Sequence, residues 1–171
     1  AEVIKRRTQK KIIWGGPHCT FMPEVVSTID HIDFIAVGEA EDSILSLMNR
    51  IEANEDCSDI PGIWVRKDKE AWVQNEVGRL EQDLDKYPFP DRDLFYDISP
   101  VLKFFNPKVI ITQRGCPYKC AFCCEPLMKK VYEGKGKLVR RHSPEYVVAE
   151  LKEIIRKYPT RNIHFRDDTF N

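Results

Sequence analysis

The stretch Gln113-Arg114-Gly115-Cys116-Pro117-Tyr118-Lys119-Cys120-Ala121-Phe122-Cys123 follows the apolar run Val109-Ile110-Ile111, and its cysteines stand in the spacing C-x3-C-x2-C. The apolar run reads as a short strand and the cysteine segment as the tight loop that leaves it. Three thiolates on one loop can hold three corners of a cubane iron–sulfur cluster, whose full protein complement is four cysteines. The missing fourth ligand leaves one iron open to bind a substrate or cofactor directly, which an electron carrier does not need. A structural zinc site would want four ligands, usually as two separated pairs. The nearest further thiol, Cys124, is directly adjacent to Cys123 and poorly placed to join the same tetrahedron.

Six cysteines in 171 residues fall below the density of small secreted scaffolds, and no signal-peptide pattern is present. Clustered thiols without export signals read as metal ligands in a reducing compartment, so a cytoplasmic location is expected. Cys19, Cys57 and Cys124 read as ordinary core or surface cysteines. Lys+Arg and Asp+Glu both number 27 and the formal net charge is zero, so no global field draws nucleic acid or an anionic membrane. No apolar run approaches the roughly 18 residues of a membrane span.

Upstream, Lys11-Ile12-Ile13-Trp14 is a strand candidate ending at Gly15-Gly16-Pro17, and a short helix follows from Pro23 to Ile29. Asp33 to Val37 is a second, buried strand stopped by Gly38. Ile44, Leu45, Leu47, Met48 and Ile51 recur at helical spacing, which predicts an amphipathic helix over about 41–54. Strand, helix, strand, helix is the order of an open α/β sheet. Ile63–Arg66 and Ala71–Val73 flank a polar turn and predict a hairpin. The segment from about 81 to 107 carries Pro88, Pro90, Pro100 and Pro107 among many charges and reads as a linker between 1–80 and 108–171. Ser143-Pro144-Glu145 offers an N-cap, a proline at the first helical position and an early acid. That helix runs to about Lys157 and leads to the strand Ile163-His164-Phe165. Strand, loop, helix and strand make one crossover unit of a parallel sheet or barrel. The cysteine loop and Asp167-Asp168 both follow strand ends, so they belong on one face.

The cysteine spacing, with aromatic Phe122 before the third cysteine, resembles the signature of radical S-adenosylmethionine (SAM) enzymes. Gly15-Gly16-Pro17-His18-Cys19-Thr20, Val37-Gly38-Glu39-Ala40-Glu41, Tyr87-Pro88-Phe89-Pro90-Asp91-Arg92, the cysteine loop, Arg140-Arg141-His142-Ser143-Pro144-Glu145 and Phe165-Arg166-Asp167-Asp168-Thr169-Phe170 come in fixed order. Together they resemble the cobalamin-binding radical SAM proteins. The resemblance implies an α/β chain: the end of a flavodoxin-like cobalamin domain (1–80), a linker (81–107), and the first β/α units of a partial (β/α)6 barrel (108–171).

It also implies a [4Fe–4S] cluster on Cys116, Cys120 and Cys123, and SAM against Phe122, Asp167 and Asp168. Cobalamin would lie against Gly15, Gly16 and Pro17, and a flavodoxin or ferredoxin would donate electrons. The implied reaction is reductive cleavage of SAM with methyl transfer or related radical chemistry on an unknown substrate. From the residues alone, Gly15-Gly16 reads as a strand-ending turn that needs glycine conformations, Glu39 and Glu41 are first-turn acids of the following helix, and His18 is a solvated loop histidine. Lys129 to Arg141 is locally basic and reads as a solvated, flexible loop. Its alternative is a phosphate contact, as in the tRNA methylthiotransferases, which share the cysteine spacing. Those enzymes carry a second cluster on three upstream cysteines, whereas only Cys19 and Cys57 lie upstream here, so nucleic acid is not the expected partner. The non-enzymatic alternative is a cysteine-rich metal-binding module.

Overall fold

A computed structural model describes residues 1–170, which divide into two compact units. The first holds residues 1–80 together with 130–135, and the second holds 81–129 with the residues from 136 onward.

The first unit opens with helix α1 (Glu2–Thr8), then β1 (Ile13–Trp14), α2 (Pro17–Phe21), α3 (Pro23–Ser27), β2 (Phe34–Ala36), α4 (Glu41–Ala53) and the hairpin β3 (Ile63–Arg66) and β4 (Trp72–Val73). The sheet order is β1-β2-β3-β4. β1 and β2 run parallel, with Ile13 opposite Phe34, while β2–β3 and β3–β4 are antiparallel, with Ala36 opposite Ile63 and Val65 opposite Val73. All three residues of β2 are buried, which is why that strand reads as an unbroken apolar run. The helix expected over 41–54 ends at Asn54, whose left-handed φ of 56° returns its N–H to the carbonyls of Arg50 and Ile51. Leu47, fully buried, packs with Phe34, Ala36, Ile63 and Val65, a burial that contributes about 1.5–3 kcal/mol.

The second unit contains helices α5 (Asp93–Tyr96) and α6 (Pro100–Phe104), strands β5 (Lys108–Ile110) and β6 (Gln113–Arg114), helix α7 (Glu125–Val131, which continues into the first unit), β7 (Arg140–Arg141), α8 (Pro144–Lys157) and β8 (Ile163–Phe165). β5 and β8 pair in parallel, Lys108 opposite Ile163, and α8 connects into β8. The Ser143 hydroxyl accepts from the Tyr146 N–H at 3.1 Å with Pro144 at the first helical position, the start that the sequence predicts. Ile110, Ile154 and Tyr158 form the core, with Val147, Leu151 and Ile163 against it.

Two sequence expectations change. The proline-rich segment is built into the second unit: Asp85 accepts from the Ser143 N–H at 3.1 Å, the Arg92 guanidinium meets Glu150 at 2.7 Å, and the Tyr158 hydroxyl donates to Asp93. Prolines rule out a long helix there, but the charges between them act as staples. Buried Lys108 donates its ammonium protons to the carbonyls of Lys103 and Phe105 as α6 ends. Nor is Lys129 to Arg141 a solvated, flexible loop, since it holds the end of α7 and all of β7. Tyr132 is buried, its hydroxyl accepts from the Glu39 N–H, and the Lys135 ammonium donates to the Glu76 carboxylate at 3.0 Å and to the Val77 carbonyl at 2.6 Å. One aromatic ring outweighs the surrounding lysines and glycines. No described helix is long and apolar enough to cross a membrane.

Candidate functional site

The cysteine loop leaves β6 through Gly115, whose φ is 79°. A side chain there would start 2.6 Å from the Leu138 carbonyl oxygen. Both the left-handed backbone and the close approach demand glycine. Beyond this turn, α7 pins the loop from behind. Glu125 accepts from the Cys116 N–H at 3.0 Å, and Lys129, one helical turn later, donates to the carbonyls of Pro117 and Tyr118 at 2.8 and 2.9 Å. Residues four apart share a helix face, so one face of α7 fixes the loop's first three residues. The Cys123 N–H closes a turn onto the Cys120 carbonyl at 3.2 Å.

Cys116 is half-buried, while Cys120, Cys123 and Cys124 are exposed. Burial, together with the neighbouring Cys123 and Glu125, pushes the Cys124 thiol above its ordinary pKa. Cys19 and Cys57 are buried in the first unit, as ordinary core cysteines would be. Among the described residues no three His, Cys, Asp or Glu side chains gather around a point where one metal ion would sit. Three thiols on one loop, with the loop backbone anchored at Cys116 and with Cys120 and Cys123 exposed, are the donor type that an iron–sulfur cluster takes.

The exit of β8 meets this loop. The Asp167 carboxylate accepts from the N–H groups of Thr112 and Gln113 at 2.6 and 2.9 Å and from the Thr112 hydroxyl at 2.8 Å. The Thr169 hydroxyl donates to the Cys116 sulfur at 2.9 Å. Asp168, between them, is exposed. The structure thus brings the two strand ends together, as their places in the sequence imply. It commits Asp167 to protein donors and leaves Asp168 the more accessible carboxylate. Phe122 is 95% exposed beside the third cysteine. Glu125, Lys129 and Thr169 were not singled out from sequence. The Glu-x3-Lys spacing just after the cysteines is the signal that finds the first two, and Thr169 carries none.

A cavity of about 400 Å³ opens along β5, lined by Tyr87, Arg92, Ile111, Arg114, Tyr146 and Glu150. In the first unit, Gly15, Gly16 and Pro17 are exposed where β1 ends. Gly16 has a φ of 99° and open space where a side chain would be, while its carbonyl accepts from the N–H and hydroxyl of Thr20. His18 is exposed on α2.

The chain matches no protein-family model. It is 33% identical over 165 residues to an uncharacterized methyltransferase of Pyrococcus horikoshii, covering 93% of this chain and 33% of that protein. Over 132 residues it is 30% identical to the cobalamin-dependent radical SAM methyltransferase TokK of Streptomyces tokunonensis, covering 72% of this chain and 19% of TokK. The chain belongs to the cobalamin-dependent radical SAM family. Its fold agrees with the family's: the radical SAM methyltransferase TsrM of Kitasatospora setae, solved with tryptophan and a SAM analogue, aligns at a TM-score of 0.70 and 21% identity, over 98% of this chain and 32% of that one. TsrM has also been solved with cobalamin and a [4Fe–4S] cluster. The chain spans a third or less of the length of these relatives.

Proposed function

We propose that this chain carries the cluster loop and part of the SAM and cobalamin sites of a radical SAM methyltransferase. The observation that carries the reading is the three-cysteine loop, anchored by α7 and joined through Thr169 to the exit of β8. Cys116, Cys120 and Cys123 would hold a [4Fe–4S] cluster, leaving one iron for the amino and carboxylate groups of SAM. Exposed Phe122 offers a face for adenine, and Asp168, with Asp167 behind it, offers a carboxylate that can accept from the SAM ammonium. Gly15, Gly16 and Pro17 present side-chain-poor backbone at a strand end, where open α/β sheets receive ligands, and would lie against the cobalamin tail. When bound, the cluster supplies the electron that cleaves SAM and cobalamin supplies a methyl carrier, while the protein positions and screens them. A flavodoxin or ferredoxin would deliver the electron, and the substrate is a separate molecule of unassigned identity.

Anaerobic reconstitution tests the ligand set. About four irons per chain are expected. Cys116→Ala, Cys120→Ala and Cys123→Ala should each lose the cluster, and Cys124→Ala should keep it. Loss in Cys124→Ala with survival in Cys120→Ala overturns the assignment.

A further inference from the structure

The Thr169 hydroxyl donates a hydrogen bond to the Cys116 sulfur, 2.9 Å long and part-buried. Both partners are held independently of each other. Cys116 is fixed through its own N–H, which donates to Glu125 on α7. Thr169 lies two residues beyond Asp167, whose carboxylate takes three hydrogen bonds from Thr112 and Gln113 and so fastens the end of β8 to the strand that leads into the cysteine loop. A hydroxyl held by two separate anchors against one thiol is a built contact, with geometry set by the fold around it.

We propose that Thr169 is a positioning residue that tunes the reduction potential of the cluster by donating a hydrogen bond to the Cys116 thiolate. The assignment rests on the reading of Cys116 as a cluster ligand. A cluster gains negative charge when one electron enters it, and part of that charge resides on its thiolates. A donor aimed at a thiolate therefore stabilises the reduced form more than the oxidised form and raises the potential, one of the means by which proteins set iron–sulfur potentials. Of the three cysteines read as ligands, Cys120 and Cys123 are exposed while Cys116 is half-buried, so its hydrogen bond competes least with water.

The test compares the reconstituted wild-type chain with Thr169→Val, which keeps the shape and loses the donor, and with Thr169→Ser, which keeps the donor. Iron content and absorption spectrum are measured first, then the midpoint potential by a dithionite titration followed by electron paramagnetic resonance. Equal iron in all three is expected. At a fixed potential, the ratio of reduced to oxidised cluster should fall about tenfold in Thr169→Val, a shift of about 59 mV for one electron. Thr169→Ser should stay near the wild type. Double resonance on the reduced cluster should show an exchangeable proton coupling that is present in the wild type and Thr169→Ser and absent in Thr169→Val. The same comparison can be made with Thr169→Ala should the valine variant fold poorly. Equal potentials in wild type and Thr169→Val at full iron content overturn this assignment alone. A wild-type chain that takes up no iron overturns the reading of the cysteines, and this assignment with it.

Discussion

Arg92 stands in the proline-rich stretch, and its guanidinium meets Glu150 of α8 at 2.7 Å with only 13% and 6% of the two side chains exposed. The same nitrogen donates to the Val109 carbonyl at 3.3 Å. Exposed ion pairs contribute roughly 0–1 kcal/mol, but this one has left water. Removing one partner of a buried pair costs about 3–5 kcal/mol, because the remaining charge keeps its desolvation penalty and loses its compensation. Arg92→Met should fall in that range, since the carboxylate it strands is the more deeply buried member. Replacing both groups, as Arg92→Met with Glu150→Leu, removes the penalty along with the attraction and should return to within about 1 kcal/mol of wild type. Amide hydrogen exchange on α8 reads this locally. The slowest amides should exchange roughly 100- to 4,000-fold faster in Arg92→Met, each 1.4 kcal/mol being a factor of ten, and should largely recover in the double variant. A less than fivefold change in the single variant would refute the view that this pair fastens the proline-rich segment to the second unit.

Two further predictions concern backbone and pH. Gly115→Ala should cost more than the roughly 1–2 kcal/mol of a left-handed residue, because the new methyl starts 2.6 Å from the Leu138 carbonyl; denaturant unfolding and the iron yield on reconstitution should both fall, and unchanged values would contradict the turn geometry. Burial, and then the hydrogen bond to Asp93, push the Tyr158 phenol up to about 12. The unfolded phenol titrates near 10, so the folded chain holds its proton longer and the group's contribution is complete below pH 10. Stability should then fall as pH rises from about 10 through 12. Tyr158→Phe should flatten that slope in denaturant midpoints measured across this window, and an equal slope in both proteins would refute the assignment.

What the sequence discloses follows from how each element is stabilised. β2, α4 and α8 are legible because periodicity and caps are local: Leu47 and Ile51 mark one helical face, and Ser143-Pro144 marks a helix start. The cysteine loop stands out because three thiols recur within eight residues of one another. The stapled segment 81–107 is not, because Asp85, Arg92 and Asp93 look like solvated charges until their partners Ser143, Glu150 and Tyr158 arrive from more than fifty residues away. For the same reason Tyr132 was hidden: its contact with Glu39 spans 93 positions. The short β6–β7 pairing, Gln113 with Arg141 and Arg114 with Arg140, carries no apolar pattern to announce it. Within the site, Asp167 stood out as a carboxylate after a strand, but its commitment to the Thr112 and Gln113 backbone depends on β5 and β8 lying side by side.

Electron paramagnetic resonance of the reduced, reconstituted chain with and without SAM tests the central claim most directly. The open iron proposed beside Asp168 and Phe122 predicts that saturating SAM shifts the g-values of the cluster signal, with the shift weakened in Asp168→Ala. A spectrum that stays unchanged at saturating SAM, from a chain carrying about four irons, would contradict the account.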